Sequence, residues 1–348
     1  QKCSAASVAI VDKSIYSNPS FIRQLTDAVN SLTVGAGWDF STTVGPVIRK
    51  PEGNLHRAFT QLDAGESWLV EPKQLDVAGT LWRPGVKIGV QPGSWSHQNE
   101  WFGPVLAIIE APDFNTAIKW QNETEYGLTS GIQSLDENEC AQWIASAQAG
   151  NLYVNRGITG AIVNRQPFGG WKRSSVGPNA KAGGLNYIHT LRVWPRVTGV
   201  EPAIYGAKLW WEKIGSKSID RTGLSVEKNY QRYVRYPKPI LVVADESTTR
   251  EELSMVQKLS ELLGVKIEVV SSISEYSGEF SRVRWLSSEK PPVLEMMARG
   301  ITVDHRPIAQ RGDIEAPRWL QEQSVAITYH RYGNTNGGPK PACPGLGE

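Results

Sequence analysis

Short apolar runs alternate with amphipathic stretches along the chain, the pattern of α/β layers. Val8-Ala9-Ile10-Val11 is the first run. Residues 21–31 place Ile22, Leu25 and Val29 on one helical face, with Ser20 as N-cap, and residues 54–64 do the same through Leu55, Ala58, Phe59 and Leu62. Val105-Leu106-Ala107-Ile108-Ile109 follows a Gly103-Pro104 break and has the length of a strand buried on both faces. Asp113 is placed to cap a helix that turns Ala117, Ile118 and Trp120 inward, and residues 127–132 return as a strand. Glu137 to Ala149 reads as a helix stopped by Gly150 in the left-handed cap position, before a strand over residues 151–155. Strand and helix alternate, which predicts a parallel sheet.

The composition loosens from Pro178 to Gly184, and Thr198-Gly199 marks a domain boundary near residue 200. Beyond it, an aromatic helix around 205–214 carries Leu209, Trp210 and Trp211, read as core, and Ile240 to Ala244 is a buried strand. Thr248 and Glu251 form a capping box for a helix with Leu253, Val256, Leu259 and Leu263 on one side, ended by Gly264. Strands over 266–270, 282–286 and 301–303, with a helix over 292–299 among them, complete a second α/β unit. It is Rossmann-like in alternation, but no G-x-G-x-x-G turn joins a strand to a helix, so it lacks a dinucleotide fingerprint. The expected divisions are 1–199, 200–333 and a Gly/Pro-rich tail over 334–348.

At 348 residues the chain has room for two cores. A formal net charge of +2 gives no electrostatic reason to expect nucleic acid or an anionic membrane as partner, and no apolar run approaches the ~20 residues of a membrane span. Cys3, Cys140 and Cys343 are odd in number and far apart, which argues for a reducing, cytoplasmic setting rather than a disulfide framework. Histidines and acids show no metal-ligand spacing. Cys3 sits beside Lys2 and small residues, a setting that favours thiolate at the start of a helix.

Three stretches carry the chemistry. They are Gln1-Lys2-Cys3-Ser4, then Glu100-Trp101-Phe102-Gly103-Pro104-Val105, then Asn155 to Val163 leading into Arg165-Gln166-Pro167-Phe168-Gly169-Gly170. In this order they resemble the aldehyde dehydrogenase superfamily, with its catalytic cysteine, E-x-F-G-P and P-F-G-G motifs, and Gly45-Pro46 matches another local signature. The Q-K-C-S stretch and the Thr159-Gly160-Ala161 loop are similar to those of L-glutamate γ-semialdehyde dehydrogenases, also called 1-pyrroline-5-carboxylate dehydrogenases. Residues 200–334, with Glu322 to Thr328 leading into His330-Arg331-Tyr332-Gly333-Asn334, resemble the C-terminal region of the long bifunctional proline utilisation A flavoproteins.

The resemblance implies an aldehyde dehydrogenase catalytic domain over 1–199 and a non-catalytic α/β domain after it. It implies Cys3 as nucleophile, Glu100 on the nicotinamide ribose of NAD and Phe102 beside the nicotinamide. It also implies Ser4 and the backbone of Gly160 and Ala161 as anchors for the substrate carboxylate, and Phe168 as a wall for its aliphatic part. FAD enters only if a proline dehydrogenase domain lies upstream, and the full-length protein is expected to be a homo-oligomer. The NAD-binding domain, the general-base Glu and the oxyanion Asn precede the cysteine in the family. These 348 residues alone are therefore expected to bind NAD poorly and oxidise little aldehyde. Arg156 and Arg165 read as surface residues, His330 and Arg331 as structural. Trp101 replaces the family's usual Ile or Val, a change in packing, and Ser175 a common Gly. The alternatives are a dehydrogenase of another semialdehyde such as succinate semialdehyde, and, for the second half, a lid or assembly domain. A cysteine hydrolase would need a His base near Cys3, and the nearest in sequence is His56, in an ordinary helix pattern.

Overall fold

The computed structural model describes residues 2–175, 180–331 and 334–335, without the side chains of 330, 331, 334 and 335. The expected roles of His330, Arg331 and most of the tail fall outside those residues. Chain contacts divide the molecule into two compact units, Gln1–Thr124 and Glu125–Glu348. They do not divide at residue 200, because strands from both sides of that position share one sheet.

In the first unit the apolar run near the start becomes β1 (Val8–Asp12), followed by α1 (Pro19–Asn30), α2 (Gly53–Thr60), β2 (Ser67–Val70), β3 (Gly85–Ile88), β4 (Val105–Ala111) and α3 (Phe114–Asn122). The sheet order is β1-β4-β3-β2, with β4 parallel to both β1 and β3 and β2 antiparallel at the edge. Central β4 is nearly continuously apolar because both its faces are covered. One core cluster gathers Phe59, Trp101, Val105, Ala107 and Ile109, and another sets Leu25 and Val29 of α1 against Val70, Val86 and Ile108. Asp113 caps α3 as the sequence predicts, accepting from the Thr116 N–H at 2.9 Å. The cap of α1 is Asn18 and not Ser20. Pro19, which lacks an N–H, takes the first helical position and moves the start of the helix forward.

The second unit holds two sheets of four or more strands among the described residues. Its elements begin with β5 (Thr129–Ile132), α4 (Glu137–Ser146), β6 (Asn151–Val154), α5 (Val200–Trp210), β7 (Ile219–Asp220) and β8 (Glu227–Val234). They continue with β9 (Ile240–Val243), α6 (Arg250–Leu263), β10 (Ile267–Val270), β11 (Arg282–Trp285), α7 (Val293–Ala298), β12 (Thr302–Asp304) and β13 (Gln321–Thr328). A four-stranded sheet, β10-β9-β11-β12, is parallel throughout. Its strand β9 is fully buried between α6 and the layer containing Phe280 and Met296. The five-stranded sheet runs β7-β8-β13-β6-β5, so β6 pairs parallel with β5 on one side and with β13 on the other.

Local expectations change at two helices. Helix α4 ends at Ser146 with Ala147 extended, and Gly150 does not adopt positive φ. The capping box of α6 is Thr249 with Glu252, one position later than Thr248 with Glu251. That shift turns Met255 inward and leaves Leu253 39% exposed, while Gly264 at φ +61° ends the helix as expected. Trp210 lies in the core with Trp211 packed against it, as read from the sequence.

Candidate functional site

Cys3 lies in a tight turn, closed by the Ala5 N–H donating to the Lys2 carbonyl at 3.0 Å, and not at the start of a helix. The following segment is drawn into the sheet as β1, which pairs with β4 from Val8 onward, so there is no room for a helix between. The Cys3 thiol is exposed, whereas Ser4 beside it is only 2% exposed. One residue of the pair therefore faces solvent and the next faces the protein.

Glu100 and Phe102 stand 95 residues and more beyond the cysteine in sequence, in the turn that leads into β4. Phe102 has φ +54°, a backbone conformation that bulky residues rarely adopt and that persists only where neighbours hold it. Two neighbours do so. Trp101 is 3% exposed, donates its Nε1–H to the Val105 carbonyl at 3.0 Å and stacks on Trp95, so the change to Trp fills the space behind the turn. Asn54 Nδ2 on α2 donates to the Glu100 carbonyl at 3.1 Å. The result is an exposed carboxylate and a 40% exposed aromatic ring on the rim of a cleft of about 300 Å³, whose other walls include Ile48, Lys50, Asn54 and Leu55. An ionised carboxylate accepts only, which suits a pair of hydroxyls, and a half-exposed ring offers a face to a flat heterocycle. The rim thus sets a hydrogen-bond acceptor beside an open aromatic face.

Gly160, Ala161 and Phe168 belong to the second unit. Gly160 has φ +78°, which an L side chain rarely adopts, so the turn depends on glycine here. The loop then closes on Gln166, whose Oε1 accepts from the Ile162 N–H at 2.8 Å and whose Nε2 donates to Asn229 Oδ1 at 2.5 Å. Phe168 is half-buried, and its backbone exchanges two hydrogen bonds with Ala182, at 2.9 and 3.0 Å. The carbonyl of Gly169 accepts from Lys181 Nζ at 2.6 Å. Burial pushes the Lys181 ammonium down to about 7, against the opposing charge of Glu322, whose carboxyl is itself pushed up by burial.

Several of these supports lie beyond sequence reasoning. Arg156 and Arg165 are not merely surface residues, since both pair with Glu227 of β8, at 3.4 and 2.8 Å. Asn229 and Glu227 are 3% and 7% exposed. Glu227, Asn229 and Gln231 occupy alternate positions of β8 and turn inward, but Lys228 and Arg232 on the other face are polar as well, so the sequence does not mark which face is buried. What that face touches, 60 residues and more away in sequence, has no local signature.

Residues 1–193 match the model of the aldehyde dehydrogenase family. Over 189 residues the chain is 38% identical to a 1-pyrroline-5-carboxylate dehydrogenase of Geobacillus sp. (strain WCH70) and 35% identical to that of Bacillus subtilis (strain 168). Each match takes in 54% of this chain and 36% of the relative, so the chain spans about a third of the length of these curated relatives. The solved structure of proline utilisation A (PutA) from Corynebacterium freiburgense superposes with a TM-score of 0.85 at 39% identity, covering 96% of this chain and 36% of that one. That match extends through the segment after residue 200, and the fold is the mixed α/β aldehyde dehydrogenase fold with parallel sheets.

Proposed function

The chain belongs to the aldehyde dehydrogenase family, and on that premise we propose that the protein containing it oxidises L-glutamate γ-semialdehyde to L-glutamate with NAD. The observation that carries this reading is the exposed Cys3 thiol at the head of the family-matched region, followed by its small, buried neighbour Ser4. The thiolate of Cys3 adds to the aldehyde carbon and gives a hemithioacetal. NAD, when bound, would supply the acceptor for the hydride lost from this carbon as the thioester forms. Water then attacks the thioester, giving the carboxylic acid and returning the thiol. Glu100 would hold the ribose hydroxyls, and Phe102 would pack beside the nicotinamide. Gly160 and Ala161 present backbone N–H groups to the distal carboxylate, with Ser4 as a further donor, because a glycine-containing turn lets an anion approach closely. Phe168 lines the aliphatic part of the substrate.

The segment after residue 200 is assigned no catalytic group. Strand β13 pairing with β6, and β8 pairing with β13, support a scaffolding role for this Rossmann-like part. A catalytic region over 1–199 and a non-catalytic domain over 200–333 remain distinct in role even though they share a sheet.

The test uses the protein from its complete reading frame. NADH formation is followed with L-glutamate γ-semialdehyde, succinate semialdehyde and an uncharged aldehyde. The expected outcome is preference for the first, with loss of roughly a thousandfold or more in kcat for Cys3→Ser. Undiminished turnover in Cys3→Ser overturns the assignment of the nucleophile, and preference for succinate semialdehyde overturns the substrate.

A further inference from the structure

The loop carrying Gly160 and Ala161 is shaped by side chains contributed from β8. Gln166 closes the loop on the Ile162 N–H and reaches Asn229 Oδ1. Asn229 Nδ2 in turn donates to Glu227 Oε1 at 3.1 Å, and Glu227 receives Arg165 and Arg156 from either end of the loop. A carboxylate as buried as Glu227 is costly to desolvate and is tolerated only where charged and hydrogen-bonding partners meet it in good geometry. Here those partners come from the two ends of one loop, so the carboxylate sets the loop's span.

We propose, building on the reading of Gly160 and Ala161 as the carboxylate anchor, that Glu227 and Asn229 are positioning residues for that anchor. The segment after residue 200 thereby helps determine selectivity for carboxylate-bearing aldehydes through Gln166, Arg156 and Arg165. The arrangement separates two roles for the arginines by sign. If they bound the substrate carboxylate directly, removing the charge of Glu227 would free them and tighten binding. If they hold the loop, removing it loosens the loop and weakens binding.

The experiment measures kcat and KM of the complete-reading-frame protein with L-glutamate γ-semialdehyde and with pentanal, an uncharged aldehyde of the same chain length. Glu227→Gln and Asn229→Leu are expected to raise KM for the semialdehyde about ten- to hundredfold while leaving kcat/KM for pentanal within twofold. The double variant Gln166→Leu, Asn229→Leu is expected to lose less than the sum of the two single variants, because the two side chains share one bond. Glu227→Gln preserves shape and keeps the test decisive if Asn229→Leu does not fold. An unchanged KM, an equal loss on both aldehydes, or a lower KM in Glu227→Gln overturns the proposal. Wild-type protein that handles both aldehydes equally well refutes the anchor reading itself, a result independent of any variant.

Discussion

At Gly150 a methyl group would stand 2.0 Å from the carbonyl oxygen of Gly169. Glycine is therefore required there by the close approach of the P-F-G-G backbone and not by a left-handed helix cap. The same residue type is correctly singled out from the sequence and the reason is tertiary. Gly150→Ala must push the Gly169 strap outward, and about 1–3 kcal/mol of destabilisation is expected from the overpacking. Because the strap carries Phe168, KM for the aldehyde should rise as well. Denaturant unfolding together with steady-state kinetics measures both, and a variant as stable as the wild type would contradict the contact. The other candidate residues, Cys3, Ser4, Glu100, Phe102, Gly160, Ala161 and Phe168, are named by motifs in the sequence alone, and their roles rest on the proposal above. The turn around Cys3 was not legible there, because strand pairing of Val8 to Asp12 with β4 decides it.

At the level of elements, α6 shows how a pattern can be read one step out of phase. Thr248-x-x-Glu251 and Thr249-x-x-Glu252 both spell a capping box, and local sequence does not choose between them. The fold chooses, because Thr248 is occupied elsewhere: its hydroxyl accepts from the Asp245 N–H at 3.1 Å and donates to the Leu286 carbonyl at 3.4 Å. Glu252, meanwhile, is fully buried and pairs with Arg196 at 3.1 Å. Thr249→Ala is expected to cost about 1 kcal/mol through loss of the cap. Glu251→Gln should be within about 0.5 kcal/mol of the wild type, as an exposed residue outside the box. A larger loss in Glu251→Gln than in Thr249→Ala, read from denaturant midpoints, would place the box at the earlier position.

The five-stranded sheet of the second unit is stitched by one strand from near the end of the described chain. β13 lies between β8 and β6, and its Glu322 side chain accepts from Asn186 Nδ2 at 2.9 Å and from the backbone N–H of Lys181 at 3.3 Å. Lys181 Nζ in turn holds Asn151 of β6 at 2.6 Å. Burial lowers this lysine from its ordinary value of 10.5 to about 7. Between those two pH values the unfolded chain keeps a proton that the folded chain has given up, so raising the pH through that window favours the fold. The buried carboxyl of Glu322, pushed up, acts in the opposite sense at lower pH, where the folded state holds the extra proton. Lys181→Met is expected to flatten the rise in thermal midpoint above pH 7, seen by calorimetry across a pH series. An unchanged pH profile would mean that Lys181 does not titrate in the folded protein.

The amino-acid sequence by itself determined the α/β class, most strand and helix identities, and the family motifs with their candidate nucleophile, because each is written in residues near one another in the chain. Periodicity, caps and glycine turns act over four or five positions and can be read directly. Only the tertiary structure decided that residue 200 is no contact boundary, that Arg156 and Arg165 meet Glu227, and that Gln166 rests on Asn229. Those facts depend on β13 returning to pair with β6 some 170 residues later. Pairing at that separation is selected by burial of whole strand faces, and neither strand's own sequence names its partner.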